Sequence, residues 1–317
     1  MGEEMPDFIS IGECMIEFFA EQPIGEAESF TRSLAGDSLN ILVAAQRMGT
    51  STGYITRLGN DPFTEYLLNV WSAEGINTDN VIIGEGFNAV HFVVELPGGD
   101  RDFVYYRKGS EPSKIQPSDL DPLYIQNAKL FHFSGISQAI SSSSYETVKH
   151  AIEIASDAKL QISYDPNFRA QLWSPDDARK AMMDVIEKVD FFLPSNPTDC
   201  QILFGTDDPY KVIEASNDLG VLNTIVTCGE SGALIAVNGE TFHQPAYKPE
   251  LAVSSTGAGD AFSGAFLSSY LKGISPKDSA KIASIASGLK VRGRGALTTM
   301  PSQDDVMKIF KETPFDV

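Results

Sequence analysis

Positive charge is scarce in this chain: 24 Lys and Arg stand against 43 Asp and Glu among 317 residues, a formal net charge of -19. That balance excludes long-range attraction to nucleic acid or an anionic membrane surface and directs attention to small-molecule partners. An anionic substrate is repelled by the same field, so arginines at the site and a divalent cation must reverse it locally. Cysteine is nearly absent. Cys14, Cys200 and Cys228 have no paired spacing and sit in apolar local sequence, which excludes a disulfide framework and fits a reducing, cytoplasmic setting. The four histidines, His91, His132, His150 and His243, are far apart without metal-ligand spacing, which argues against zinc. No apolar run approaches the length of a membrane span. Met1 to Pro6 has two glutamates where a secretory leader carries positive charge, and Pro6 fills the Ser or Thr position of a myristoylation signal, so neither is expected.

What is present is core material. Hydrophobic residues make up 42% of the chain, enough at this length for one large α/β domain or two small ones. Short apolar runs alternate with amphipathic segments from end to end, the pattern of strands buried in a parallel sheet with helices on both faces. Strands are predicted at 8–11, 130–133, 160–164, 191–193 and 224–227, and helices at 38–48, 62–74, 142–157, 175–188, 258–271 and 276–289. Ser174-Pro175-Asp176-Asp177 combines a capping side chain, a first-turn proline and acids at the positive dipole end, while Gly49, Gly75 and Gly273 suit left-handed stops. The serine run 141–144 reads as a helix start.

One region breaks this rhythm. Residues 90–96 and 101–107 alternate with period two around Pro97-Gly98-Gly99-Asp100 and read as a hairpin. With residues 15–19 and Phe30 it is expected to form a small sheet projecting as a lid, with an edge hairpin of the main sheet as the alternative. No internal repeat and no Pro-, Gly- or Ser-rich linker divides the chain, so one domain over 1–317 is expected, with lid segments at about 14–34 and 88–112.

Chemistry concentrates in the last quarter. Ser255-Thr256-Gly257-Ala258-Gly259-Asp260 opens an apolar helix with small residues and one carboxylate at its mouth. Gly257 and Gly259 let a phosphate approach the backbone, and successive N–H groups of residues 257–259 form a nest of partial positive charge. Asp260 is then placed to accept a hydroxyl proton while the nest holds the developing charge, an arrangement suited to phosphoryl transfer. An ordinary glycine-rich helix start capped by Ser255 or Thr256 is the alternative. A second feature, Ala35-Gly36-Asp37-Ser38-Leu39-Asn40, precedes the first strong helix and offers backbone amides and polar side chains.

Together these two glycine runs resemble the paired signatures of the ribokinase-like (PfkB) carbohydrate kinases, and the resemblance spans nearly the whole chain. It implies a three-layer α/β/α fold with a mostly parallel central sheet and a small β lid. It also implies ATP and Mg2+ as cofactors, with the sugar bound by Gly36, Asp37 and Asn40. Asn196-Pro197-Thr198-Asp199 is similar to the family's Asn-x-x-Glu element near magnesium, and Thr227-Cys228-Gly229-Glu230-Ser231-Gly232 to its nucleotide turn. The same resemblance implies cofactor contacts for Asn167, Asn196, Thr227, Gly229, Gly232, Gly257, Gly259 and Ser284, and a water-mediated metal contact for Asp199. The family has no Walker A motif, and neither does this chain.

Finer matches, Ile11 to Glu17, Tyr105-Tyr106-Arg107, Ser134 to Ser137, and Asp165-Pro166-Asn167-Phe168-Arg169 through Trp173, resemble the 2-keto-3-deoxygluconate kinase branch. The physical logic agrees: a sugar acid needs a cation, and guanidinium grips carboxylate bidentately, so Arg107 and Arg169 are expected to hold it beside Tyr106 and His91. The expected reaction is phosphorylation of 2-keto-3-deoxygluconate to its 6-phosphate, with Asp260 as a base kept ionised by the helix end. Three departures bear on it. Ser254 stands where the family has Asp, which puts a monovalent-cation loop in doubt; Asp199 stands for Glu, and His91 for the Tyr of related acid-sugar kinases. The alternatives are a kinase for fructose, ribose or another sugar, and a non-catalytic sugar- or nucleotide-binding relative. A dinucleotide dehydrogenase is disfavoured because the first strand leads into Gly12-Glu13-Cys14, not a Gly-x-Gly-x-x-Gly turn. The resemblance also implies a homodimer or higher homo-oligomer, for which Phe92 and Phe103 would suit a clasp between lids.

Overall fold

Periodicity in the chain resolves into two sheets in the computed structural model, which describes residues 5–95 and 101–312. In chain order the strands are β1 (Phe8–Ile11), β2 (Met15–Ala20), β3 (Thr31–Ala35), β4 (Thr52–Leu58), β5 (Val81–Ile83), β6 (Ala89–Glu95) and β7 (Arg101–Tyr106). They continue with β8 (Leu130–Ser134), β9 (Gln161–Asp165), β10 (Phe191–Phe192), β11 (Asn223–Thr227), β12 (Ala233–Val237) and β13 (Glu240–Gln244). The large sheet has the order β13-β12-β11-β10-β9-β8-β1-β4-β5, parallel from β11 to β5 and ending in the antiparallel pairs β11-β12 and β12-β13. Helices cover both of its faces in an α/β/α arrangement.

Neighbouring residues of one strand divide between the two layers, as a pleated strand buried on both sides requires. Phe8, Leu130 and Phe191 join the cluster formed with Leu39, Trp71, Phe266 and Ile285, while Ile9, Phe131 and Phe192 join that of Val148, Ile152 and Met182. The five predicted strands and six predicted helices are present, with ends moved by a residue or two except in one place. The helix expected over 175–188 stops at Met183, because Val185 turns to an extended φ, and resumes only as a short 3-10 turn, Ile186–Lys188. Ser174 caps Asp177 N–H as its sequence foretold, and Gly49, Gly75 and Gly273 take φ of 83°, 76° and 77°.

The hairpin is not an edge of the large sheet. β6 and β7 pair antiparallel within a separate four-stranded sheet of order β3-β2-β6-β7; their connecting turn, Pro97-Gly98-Gly99-Asp100, lies outside the described residues. Register sorts its faces: Glu17, His91 and Tyr105 are cross-strand neighbours on one side, and Phe18, Phe92 and Val104 on the other. Phe92 belongs to an aromatic group with Phe18, Phe30 and Tyr106, while Phe103 stacks on Tyr105. The two phenylalanines expected to share one clasp therefore occupy opposite faces.

Candidate active site

Parallel strands deliver their next residues to one edge of the sheet, the crevice where open α/β sheets bind ligands. β1 runs into Glu13, β9 into Asn167 and Arg169, β10 into Asn196, and β11 ends at Thr227. Above this edge the helix Asp37–Arg47 lies against the helix Ala258–Leu271. Gly264 allows that approach, since a Cβ there would come within 2.4 Å of the Ile41 carbonyl. One turn before Gly264, Asn40 Nδ2 donates to Asp260 Oδ2 at 2.7 Å, joining the two glycine signatures 220 residues apart. Gly36 packs so closely on Glu13 that a Cβ would lie 2.5 Å from its carbonyl oxygen.

At the start of the helix Ala258–Leu271, Gly257 adopts the left-handed φ of 77° that makes the turn. Gly259 is exposed and a Cβ there would meet nothing within 4 Å, so the backbone is open to a large anion. The dipole of this helix was expected to keep Asp260 ionised, but burial wins: desolvation, aided by Asp37, pushes its carboxyl up to about 7, against the opposing pull of Asn40, Arg169 and Lys290. An acid in this range is a stronger base than an ordinary aspartate, with a proton affinity matched to neutral pH. Asp165 beside it is likewise raised, by burial and then by Asp199, Asp260 and Asp37.

Two arginines reach this acid group in different states. Arg107 Nη2 pairs with the buried carboxylate of Glu13, whose own proton affinity is raised by burial and lowered by Arg107. Arg169 is exposed, donates to the Phe168 carbonyl at 3.0 Å, and makes no ion pair among the described residues. Its charge acts on Asp260, Asp165 and Tyr105. His91 is buried, its Nε2 3.0 Å from Glu17 Oε2 and its Nδ1 without a hydrogen-bond partner.

Several expected site residues are placed otherwise. Tyr106 is 61% exposed on the far face of β7, because strand side chains alternate; Tyr105, beside His91 and Arg107, is the tyrosine on the cleft side. Asn167, expected on the cofactor, has φ 38° and donates to Asp37 Oδ2 at 3.0 Å, which orients that carboxylate. Ser284 is buried with its hydroxyl accepting from Tyr247 N–H and donating to the Pro245 carbonyl, each at 2.8 Å; it braces residues 245–247. Asp199 is 1% exposed and accepts from Phe168 N–H, Ser195 N–H and the Ser195 hydroxyl, so it ties the β9 and β10 loops. Asn196 differs: its Oδ1 is buried without a hydrogen-bond partner, and its N–H donates to the Thr227 carbonyl.

That orphaned oxygen fits a water on a phosphate-bound magnesium. Among the described residues no three His, Cys, Asp or Glu are grouped to hold a metal themselves. Gly229 and Gly232 shape a turn after β11 with φ of 55° and 95°, closed by Cys228 N–H on the Gly232 carbonyl at 2.7 Å. Glu13, Tyr105 and Lys290 went unnoticed among the expected contacts. Period two from Arg107 identifies Tyr105; the end of the first strand identifies Glu13; and Lys290 continues the buried stripe of Ala283 and Ala286.

A three-layer α/β/α core with a separate small sheet, and a raised carboxyl beside an open glycine turn at the edge of the large one, fit the ribokinase-like kinase fold. The chain belongs to the pfkB family of carbohydrate kinases, whose model matches residues 5–303. A 2-dehydro-3-deoxygluconokinase of Thermoproteus tenax is 33% identical over 98% of this chain and 95% of its own length. A probable fructokinase-3 of Arabidopsis thaliana is 28% identical over 96% and 91%. A solved E. coli structure, provisionally a ribokinase II, in complex with ATP and Mg2+ superposes with a TM-score of 0.89 at 25% identity, covering 97% of this chain and all of that one. No described helix is long and apolar enough to cross a membrane.

Proposed function

We propose that this kinase transfers the γ-phosphoryl group of ATP to the primary hydroxyl of 2-keto-3-deoxygluconate, giving the 6-phosphate. The carrying observation is the Asn40–Asp260 bond, which brings the two glycine signatures to one cleft that Arg169 also faces electrostatically. Asp260 takes the hydroxyl proton, the freed oxygen attacks phosphorus, and the bond to the ADP oxygen breaks. The amides at Gly257, Ala258 and Gly259 hold the charge that builds on the transferred group. Mg2+ bound with ATP would supply the charge that neutralises the phosphates, and Asn196 would hold it through water. Gly229, Gly232 and Thr227 hold the nucleotide. Arg169 grips the sugar carboxylate, with Arg107, Tyr105 and His91 completing the acid-binding side, and Gly36, Asp37 and Asn40 bind hydroxyls. The four-stranded sheet acts as a lid over this cleft, within a single domain. We place the protein in the cytoplasm as a homo-oligomer, its exposed Tyr106 and Phe30 suiting a subunit contact.

Fructose is the second reading, favoured by the fructokinase relative and by Glu13, which neutralises one of the two arginines. An ADP-release assay on a panel of sugars and sugar acids with ATP and Mg2+ separates them. Turnover of fructose or ribose without turnover of the acid would overturn the substrate assignment.

A further inference from the structure

One charged side chain beside the site is still without a role. Lys290 ends the helix Pro276–Lys290 and is fully buried, at 0% exposure. A lysine at a helix end ordinarily reaches out to water, and holding its charge inside is costly unless oxygens receive it. Here the stem runs inward. Its Nζ lies 3.5 Å from the Ser254 carbonyl oxygen, and a Cβ on Gly257 would sit 3.4 Å from its Cε. The ammonium is thus packed beneath residues 254–257, the turn that presents the anion-binding amides, and its charge is felt by Asp260. The other charged groups that bear on Asp260 are Asp37, Asp165 and Arg169.

An alkali-metal ion at the same turn fits poorly, since position 254 supplies a neutral serine and the neighbouring ammonium would repel a second cation. We propose that Lys290 is a positioning residue that serves as a built-in cation for the anion-binding turn, bracing it and offsetting charge on the transferred phosphoryl group, so that turnover needs no alkali-metal ion. The inference rests on the phosphoryl-transfer reading of this cleft.

The test is kinetic and thermodynamic. Wild-type turnover is measured in potassium, sodium and tetramethylammonium chloride at equal ionic strength, and equal rates are expected. Lys290→Met should lower kcat by about tenfold or more while leaving the sugar KM nearly unchanged, as loss of a preorganised charge acts on the transition state. Lys290→Ala should regain rate with added methylammonium or potassium, a rescue that a packing role would not give. A wild type that requires potassium, or a Lys290→Met variant with full kcat, overturns the proposal. A readout free of turnover is the pH at which the stability gap between Asp260 and Asp260→Asn reaches its full size. It should rise in a Lys290→Met background, and an unchanged value counts against Lys290 whatever the substrate. Absence of turnover in every salt and with every sugar would instead strike the kinase reading, leaving these melts to decide the role of Lys290.

Discussion

Replacing Asp260 by Asn should make the protein more stable and nearly inactive at once, and both effects follow from one buried carboxyl. Its proton affinity is pushed from the ordinary 3.8 up to about 7. At about 1.36 kcal/mol per tenfold change in affinity, ionising it in the fold costs at most about 4 kcal/mol relative to the unfolded chain. The side chain is half-buried, so solvent screening brings the expected figure to about 2 kcal/mol. The sign runs with pH. Below about pH 4 the carboxyl is protonated folded or unfolded and the variant gains nothing. Between about 4 and 7 the folded protein retains a proton that the unfolded chain has lost, so wild-type stability falls as pH rises; above about 7 the full penalty applies. Asn keeps an oxygen for the Asn40 amide and carries no charge, so its curve should lack this fall. Urea melts of both proteins at pH 5 and pH 8 measure the gap. In parallel, kcat should drop by about two to four orders of magnitude, with ATP affinity nearly unchanged, the scale for a positioned base. The wild-type rate should rise with pH through about 7 as the base form appears. A variant no more stable at pH 8 than wild type would refute the desolvation argument. Near-normal kcat would remove Asp260 from the proton transfer.

Arg169→Ala should raise KM for a sugar acid about ten- to a hundred-fold, the worth of a charge-assisted hydrogen bond, and change it little for the corresponding alcohol; equal effects would show that the guanidinium misses the carboxylate. Tyr105→Ala should impair kcat/KM for the acid, whereas Tyr106→Ala should leave it within about twofold, as for other exposed positions; steady-state kinetics showing the reverse order would invert the assignment of the faces of β7. Gly264→Val should cost about 1–3 kcal/mol of stability in denaturant melts and lower kcat as well, because its side chain drives apart the helices that carry Asn40 and Asp260. Ser284→Ala should lower stability by about 1 kcal/mol while leaving KM for ATP unchanged; a raised KM would return Ser284 to the nucleotide.

The sequence exposed those parts of the molecule that repeat a simple period and hid those that depend on what lies opposite. Buried parallel strands such as 130–134 are apolar runs because both faces are covered, so five of them and their place in the α/β alternation could be read directly. β4 could not: its Thr52, Thr56 and Arg57 interrupt the run, and only its place beside β1 makes it a central strand. Among site residues the contrast is sharper. Gly257 and Asp260 were legible because a small-residue turn opening a helix has one obvious use, and Asn40 because its helix starts the same way. Ser284 and Asp199 have the right chemistry for ligands, yet their hydrogen bonds are consumed by Pro245, Tyr247, Phe168 and Ser195. No local pattern announces a partner from another loop. The base strength of Asp260 was hidden for the same reason. A helix dipole is a property of one segment, whereas desolvation sums over Asn40, Asp37 and every chain segment that excludes water. Local spacing thus locates the carboxylate proposed as the base, but only the packing of distant segments sets the pH at which it ionises.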